Sequence, residues 1–251
     1  MHVSRRMRSL FGLFIAVAIG FGLMGGTIAA QEGTPATGDA SFPISITFVN
    51  AVTALGSIDV YINGDNEDQR VVEGLEYGTA SESFDGTAPG TIVVVKQNVN
   101  WGVDRYIFDT LVPTEPGKSY VVVISDFFII PTEVDLSATG ADSGRTRAVH
   151  GAAQAPSVDV YVTPAGQEFS VGNVVPLIVD LSYSRVTDGG LTPAGSYDLR
   201  MTATGTDTIA LEQTGVDIEA GQVYTFVIIG KPGSTEQPLT LVPVVFPAAA
   251  E

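Results

Sequence analysis

From about residue 44 onward, apolar and polar positions alternate along the chain. In "SIDVYIN" (57–63), Ile58, Val60 and Ile62 fall on one face, Asp59 and Tyr61 on the other. "SVDVYVT" (157–163) repeats the pattern with Val158, Val160 and Val162. A period of two is that of a strand with one buried face. The same reading predicts strands over 44–49, 91–97, 105–112, 119–125, 146–150, 174–182, 197–203, 208–213, 224–230 and 239–245. Gly, Pro, Asn and Asp punctuate them, and no stretch after residue 41 carries a helical period. Short strands at this spacing predict an all-β protein built from sandwiches.

The two phrases open a longer repeat. "LEYG" (75–78) corresponds to "LSYS" (181–184), "TAPGTIVVV" (87–95) to "TPAGSYDLR" (192–200), and "EPGKSYVVVIS" (115–125) to "EAGQVYTFVII" (219–229). Order is kept at a near-constant offset, as in a tandem duplication of a whole domain. The expected layout is a first sandwich over 43–140 and a second over 145–247, joined by the small polar stretch "SATGADSG" (137–144). A joint this short keeps the domains in touch. "FFIIP" (127–131) is the candidate for buried contact between them, its plainer reading being the last core strand of the first domain.

The first forty residues break the strand pattern. Arg5, Arg6 and Arg8 precede an apolar run from Leu10 to Met24, and small residues follow to Ala30. That order predicts a secretory signal peptide over 1–30, followed by a polar tether over 31–42. An uncleaved membrane helix is the rival reading, and only that would give the chain a membrane partner. Either way the remainder is expected outside the cytoplasm, secreted or at the cell surface.

Composition narrows the chemistry. Twenty-eight acidic residues against 12 basic ones give a formal charge of -16, which repels phosphate backbones and argues against nucleic acid as a partner. Cysteine is absent, removing disulfides, thiolate metal sites and thiol nucleophiles. No cofactor-binding motif is present, and nothing in the sequence sets an oligomeric state. His150, the one histidine beyond the signal segment, has no G-x-S-x-G partner and belongs to no H-E-x-x-H.

The residues singled out divide into structural and recognition candidates. Tyr120 and Tyr224 each follow a turn glycine by three positions and open an apolar strand, the setting of a tyrosine corner. His150 is expected to hydrogen-bond the loop that follows it, with Asn50 as its counterpart in the first half. Asp59 and Asp159 are expected to accept N–H groups from the preceding loop. The acids Asp65, Glu67 and Asp68 sit on a turn that calcium could use, though EF-hand spacing is missing and an Asn-Gly hairpin tip with solvated charges is the simpler account. Trp101, the only tryptophan, is the candidate ligand contact, for a glycan or a protein surface, or else a plug on the end of the core.

"RAVHGAAQAPSVDVYVTPAG" (147–166), the later "PAG" (193–195) and "AGQVYT" (220–225) resemble the family called domain of unknown function 4397. The second half carries the pattern more fully; the first has Asn50 in place of the histidine and no proline in the loop. The resemblance implies two tandem copies, immunoglobulin-like sandwiches, in an exported protein of no assigned catalytic activity. The function expected is therefore a non-enzymatic binding or adhesion-type module. The alternatives are a structural spacer held by an uncleaved helix and a carboxylate-dependent hydrolase acting on glycans.

Overall fold

The computed structural model describes residues 42–88, 90–97 and 105–250. The signal-peptide and tether readings therefore fall outside the described residues, as does Trp101. The first half contains β1 (Phe42–Ala51), β2 (Ile58–Ile62), β3 (Arg70–Leu75), β4 (Ala80–Ala88), β5 (Thr91–Gln97), β6 (Arg105–Val112), β7 (Ser119–Ser125) and β8 (Ile129–Val134). The second contains β9 (Ser143–His150), β10 (Val158–Pro164), β11 (Ile178–Leu181), β12 (Val186–Pro193), β13 (Gly195–Ala203), β14 (Ile209–Ile218), β15 (Gln222–Ile229) and β16 (Thr240–Pro247).

Each half forms two four-stranded sheets. The first half has the orders β3-β2-β5-β6 and β4-β1-β7-β8; the second repeats them as β11-β10-β13-β14 and β12-β9-β15-β16. Even the exception to antiparallel pairing recurs, since β1 runs parallel to β7 and β9 parallel to β15. The all-β sandwich expectation holds, and the repeat extends to every strand.

Three apolar layers separate the four sheets. Ile46, Phe48, Val60, Val93 and Val122 fill the first sandwich, and Val160, Leu199, Met201, Phe226 and Ile228 the second. Between them lies a third core, in which Val49, Val121, Val123 and Ile130 of the first half pack against Val149, Val227, Ile229 and Val244 of the second. The two inner sheets are therefore buried on both faces. That is why β7 reads "YVVVI" and β15 "YTFVII" as nearly continuous apolar runs, whereas β2 alternates. "FFIIP" divides accordingly: Ile130 is buried in the middle layer, while Phe127 and Phe128 are exposed.

Polar contacts close the seam. Tyr183 and Ser125 share a 2.7 Å hydroxyl bond across it. The Arg147 guanidinium donates to the Glu133 carbonyl, and Arg145 pairs with Asp135 at 3.5 Å. Gly151 sits so close that a Cβ there would meet Val123 at 3.1 Å.

The halves also differ where one position compensates another. Phe48 lies beside Val122 in the first half, and at the same register positions Ala148 lies beside Phe226. The aromatic ring has changed strands, keeping each core filled but not identical. The second core retains an apolar cavity of about 30 Å³. Laying "TIVVV" over "SYDLR" by sequence would match Val95 with Arg200. The pairing instead sets Val95 opposite Val60 and Met201 opposite Val160, with Arg200 opposite Tyr161 on the outer face. β13 also shifts register against β14 between Tyr197 and Leu199, with the surplus residue on β14. One residue of slip decides whether a guanidinium faces core or solvent.

A shared middle core makes the halves one cooperative unit, and calorimetry of residues 31–251 should show a single unfolding transition. Val123→Ala or Val227→Ala should lower the stability of that one transition by about 2 kcal/mol. Two resolved transitions, only one of them moved by each variant, would contradict the shared core.

Candidate functional site

The repeated phrase puts two side chains on the outer face of each outer sheet. The Asp59 carboxylate accepts the Gly74 N–H at 2.7 Å, and Asp159 accepts that of Asp180 at 2.9 Å. The donors belong to the edge strands β3 and β11 rather than to the loops preceding Asp59 and Asp159. Gly74 (φ 62°) and Asp180 (φ 54°) are both left-handed, and that turn of the backbone aims the N–H at the carboxylate. The tyrosines two residues on are buried beneath further contacts. Lys96 Nζ lies 4.5 Å from the Tyr61 ring centroid, and Phe169 packs edge-on to Tyr161 at 5.0 Å with Arg200 over its face. Arg200 bonds Glu212, Thr163 and Asp198. The N–H groups of Gly166 and Gly215, with Arg200, hold the Asp198 carboxyl below the usual carboxylate range.

The tyrosine positions behave alike in both halves. Tyr120 Oη accepts the Glu115 N–H at 2.8 Å, and Tyr224 Oη accepts that of Glu219 at 2.9 Å. At the other conserved polar point of the repeat, the Asn50 amide donates to the carbonyls of Gly56 and Leu75, both at 2.8 Å, while its oxygen accepts the Val52 N–H. His150 holds the equivalent loop by one bond, Nε2 to the Pro156 carbonyl at 3.0 Å. Its Nδ1 is buried with no partner among the described groups. Burial pushes the His150 pKa below its usual value, against the opposing pull of the backbone bonds.

The acidic turn is occupied by its own neighbours. Lys96 bonds the Asp65 carbonyl at 2.9 Å, and Arg70 pairs with Glu67 at 3.0 Å. A short 3-10 turn over Glu67–Gln69 takes the place of a two-residue Asn-Gly hairpin, with Asn63 itself left-handed at φ 57°. Among the described residues no group of three His, Cys, Asp or Glu side chains is arranged to hold a metal ion.

The strand directions give the unit a base and a tip. β1 enters at Phe42, and Ala248 and Ala249 after β16 bond Gly221 and Leu136 at the same end. At the opposite end Ala51 pairs with Ser125, and His150 with Ile228. The tip therefore gathers, among the described residues, the β1–β2, β3–β4 and β7–β8 connections of the first half and the β9–β10, β11–β12, β13–β14 and β15–β16 connections of the second. Phe127 and Phe128 stand there, 61% and 54% exposed, with ring centroids 6.5 and 5.9 Å from that of Tyr183. Beside Phe127 lies an open groove of about 540 Å³, to which Thr53, Leu55, Asp126, Gln154 and Lys231 contribute. The sequence reading took this stretch for buried contact between the domains or the last core strand of the first, and so did not expect two exposed phenylalanines. Their signal was available: two phenylalanines after Ser-Asp fit no alternation, which marks a turn rather than a strand.

The family model described as Domain of unknown function (DUF4397) matches residues 44–161, the first half and the opening of the second, so the family resemblance holds there. No curated protein matches the chain. Solved structures to which it is similar include the Bacillus anthracis TIE protein, at 14% identity, 76% of this chain, 34% of that one and a TM-score of 0.24. A candidate cell adhesion protein from Parabacteroides distasonis matches at 8% identity over 83% of this chain and 100% of its own, with a TM-score of 0.22. One from Bacteroides eggerthii matches at 10% over 83% and 96%, also at 0.22.

Two outcomes follow from the side-chain geometry. Tyr120→Phe and Tyr224→Phe should each cost about 1–2 kcal/mol, the size of a part-buried hydrogen bond, read by denaturant unfolding. For His150 the folded pKa lies below the 6.5 of the unfolded chain. The stability tied to its neutral form is thus complete above pH 6.5 and lost as pH falls from there through the folded value. The His150→Asn variant, which copies Asn50, should flatten the stability profile below pH 6.5. An unchanged slope would mean that His150 is not the titrating group.

Proposed function

We propose that this chain, matching domain of unknown function 4397 over residues 44–161, is an exported, non-enzymatic binding module that works at the cell surface through its tip. The observation that carries the reading is the placement of Phe127 and Phe128. They are adjacent, exposed, and at the end of the unit opposite both Phe42 and Ala249. β1 begins at the base, so an attachment made through the chain ahead of it would leave the tip facing outward. Exposed aromatic side chains on a rigid turn are suited to recognition, because they offer contact area at little cost in conformational freedom. The turn is rigid in this sense: Ser125 Oγ donates to the Phe128 carbonyl at 2.7 Å, and Asp126 is tied to Thr53.

Residues 31–251 should co-sediment saturably with envelope fractions of the producing cells. The double variant Phe127→Ser/Phe128→Ser should bind at least ten-fold more weakly, with its melting temperature little changed. Equal binding by the variant would remove the tip as the site.

A further inference from the structure

The groove beside Phe127 combines groups that no single sandwich supplies. Thr53 and Asp126 come from the first half, and Gln154 and Lys231 from the second. The Asp126 carboxylate is fixed rather than free: Oδ1 accepts the Thr53 N–H at 2.7 Å, and the Thr53 hydroxyl lies 3.0 and 2.8 Å from its two oxygens. Those two protons fill two of about four lone-pair sites on a carboxylate, so it retains capacity for a ligand's hydroxyl groups.

This arrangement is not part of the repeated frame. By strand register, the positions matching Thr53 and Asp126 in the second half are Ala153 and Gly230. The second half closes its corresponding turn without such a pair. Its β15–β16 connection is instead longer, running over residues 230–239 against 126–128 in the first half, and carries Lys231 to the groove. Among the described residues this combination of groups occurs once, and it depends on the seam.

Resting on the tip as the binding site, we infer that this groove takes a sugar ring bearing a carboxylate, of the uronic acid type. The apolar C–H face of a pyranose packs on Phe127 and Leu55 by dispersion and area burial. Vicinal hydroxyls donate to Asp126 and exchange hydrogen bonds with the Gln154 amide. The ring carboxylate pairs with Lys231, the one cation among the described residues lining the groove. A volume of about 540 Å³ suits one or two such rings. Competing chemistries meet a mismatch. An apolar side chain would strip water from Asp126 without replacing its hydrogen bonds. A phosphate dianion would bring two negative charges towards Asp126 where the uronate carboxylate brings one, with Lys231 to offset only one of them, and a basic peptide would meet Lys231.

The test is an amide NMR titration of residues 31–251 at low salt with methyl glucuronide, and in parallel with methyl glucoside. Glucuronide should shift the Gln154 and Lys231 resonances and bind at least five-fold more tightly than glucoside. Lys231→Met should abolish that preference, bringing glucuronide to the affinity of glucoside, and Phe127→Ala should weaken both. Equal binding of the two sugars, or a preference that survives in Lys231→Met, overturns the carboxylate assignment. If neither sugar shifts the groove but the Phe127→Ser/Phe128→Ser pair still abolishes envelope binding, the inference fails and the tip reading stands. If envelope binding is absent as well, both fail.

Discussion

Everything in this molecule depends on the apolar layer between the two inner sheets. A strand buried on one face can be half polar; a strand buried on both cannot, and β7 and β15 obey that rule. Burial on both faces also constrains the few polar groups that remain. Arg147 reaches the Glu133 carbonyl, and Tyr183 finds Ser125. The opposite seam is less complete: Tyr77, at the position of Tyr183 in the first half, keeps a buried hydroxyl with no partner among the described groups, and burial raises its pKa. Ser125 corresponds by register to Ile229, so the hydroxyl that satisfies Tyr183 has no counterpart for Tyr77.

The repeat was legible because it records constraints of geometry. Asp59 and Asp159 recur because each edge strand has a left-handed residue whose N–H needs an acceptor. Asn50 and His150 recur as a pair because either can reach the carbonyl of the residue six positions on, Gly56 or Pro156. The bounds of β5, β6 and β7 agree with the sequence reading to the residue, and in β7 both faces are apolar from Tyr120 to Ile124. β4 ("ASESFDGTA") and β12 ("VTDGGLTP") escaped because they are edge strands with few apolar residues to show a period. The run 174–182 shrinks to Ile178–Leu181, since Pro176 has no N–H for a ladder and Val175 is 87% exposed.

That the halves touch was legible in the short joint, but which faces meet, and the groove at the tip, were not, for a different reason. Both arise from residues far apart in sequence that meet only once the inner sheets are face to face. Thr53 and Asp126 are 73 residues apart, and Lys231 belongs to the other half. The repeated strand order supplies two similar frames; departures from similarity at Ala153, Gly230 and the longer 230–239 connection then shape a groove that neither half forms alone. The exchange of Phe48 and Val122 for Ala148 and Phe226 shows the same freedom used silently, inside the cores.

Chain entry and exit at one end have a mechanical consequence. Pulling on both ends of such a unit loads β1 and β16 from the base and leaves the tip outside the line of force. Joined in series, units of this form would hang from their connecting segments like pendants, adding little to the reach of the array. A rod-like extender places its ends at opposite poles. With Phe42 and Ala249 at one end, a pull applied to both would leave the tip turns undistorted.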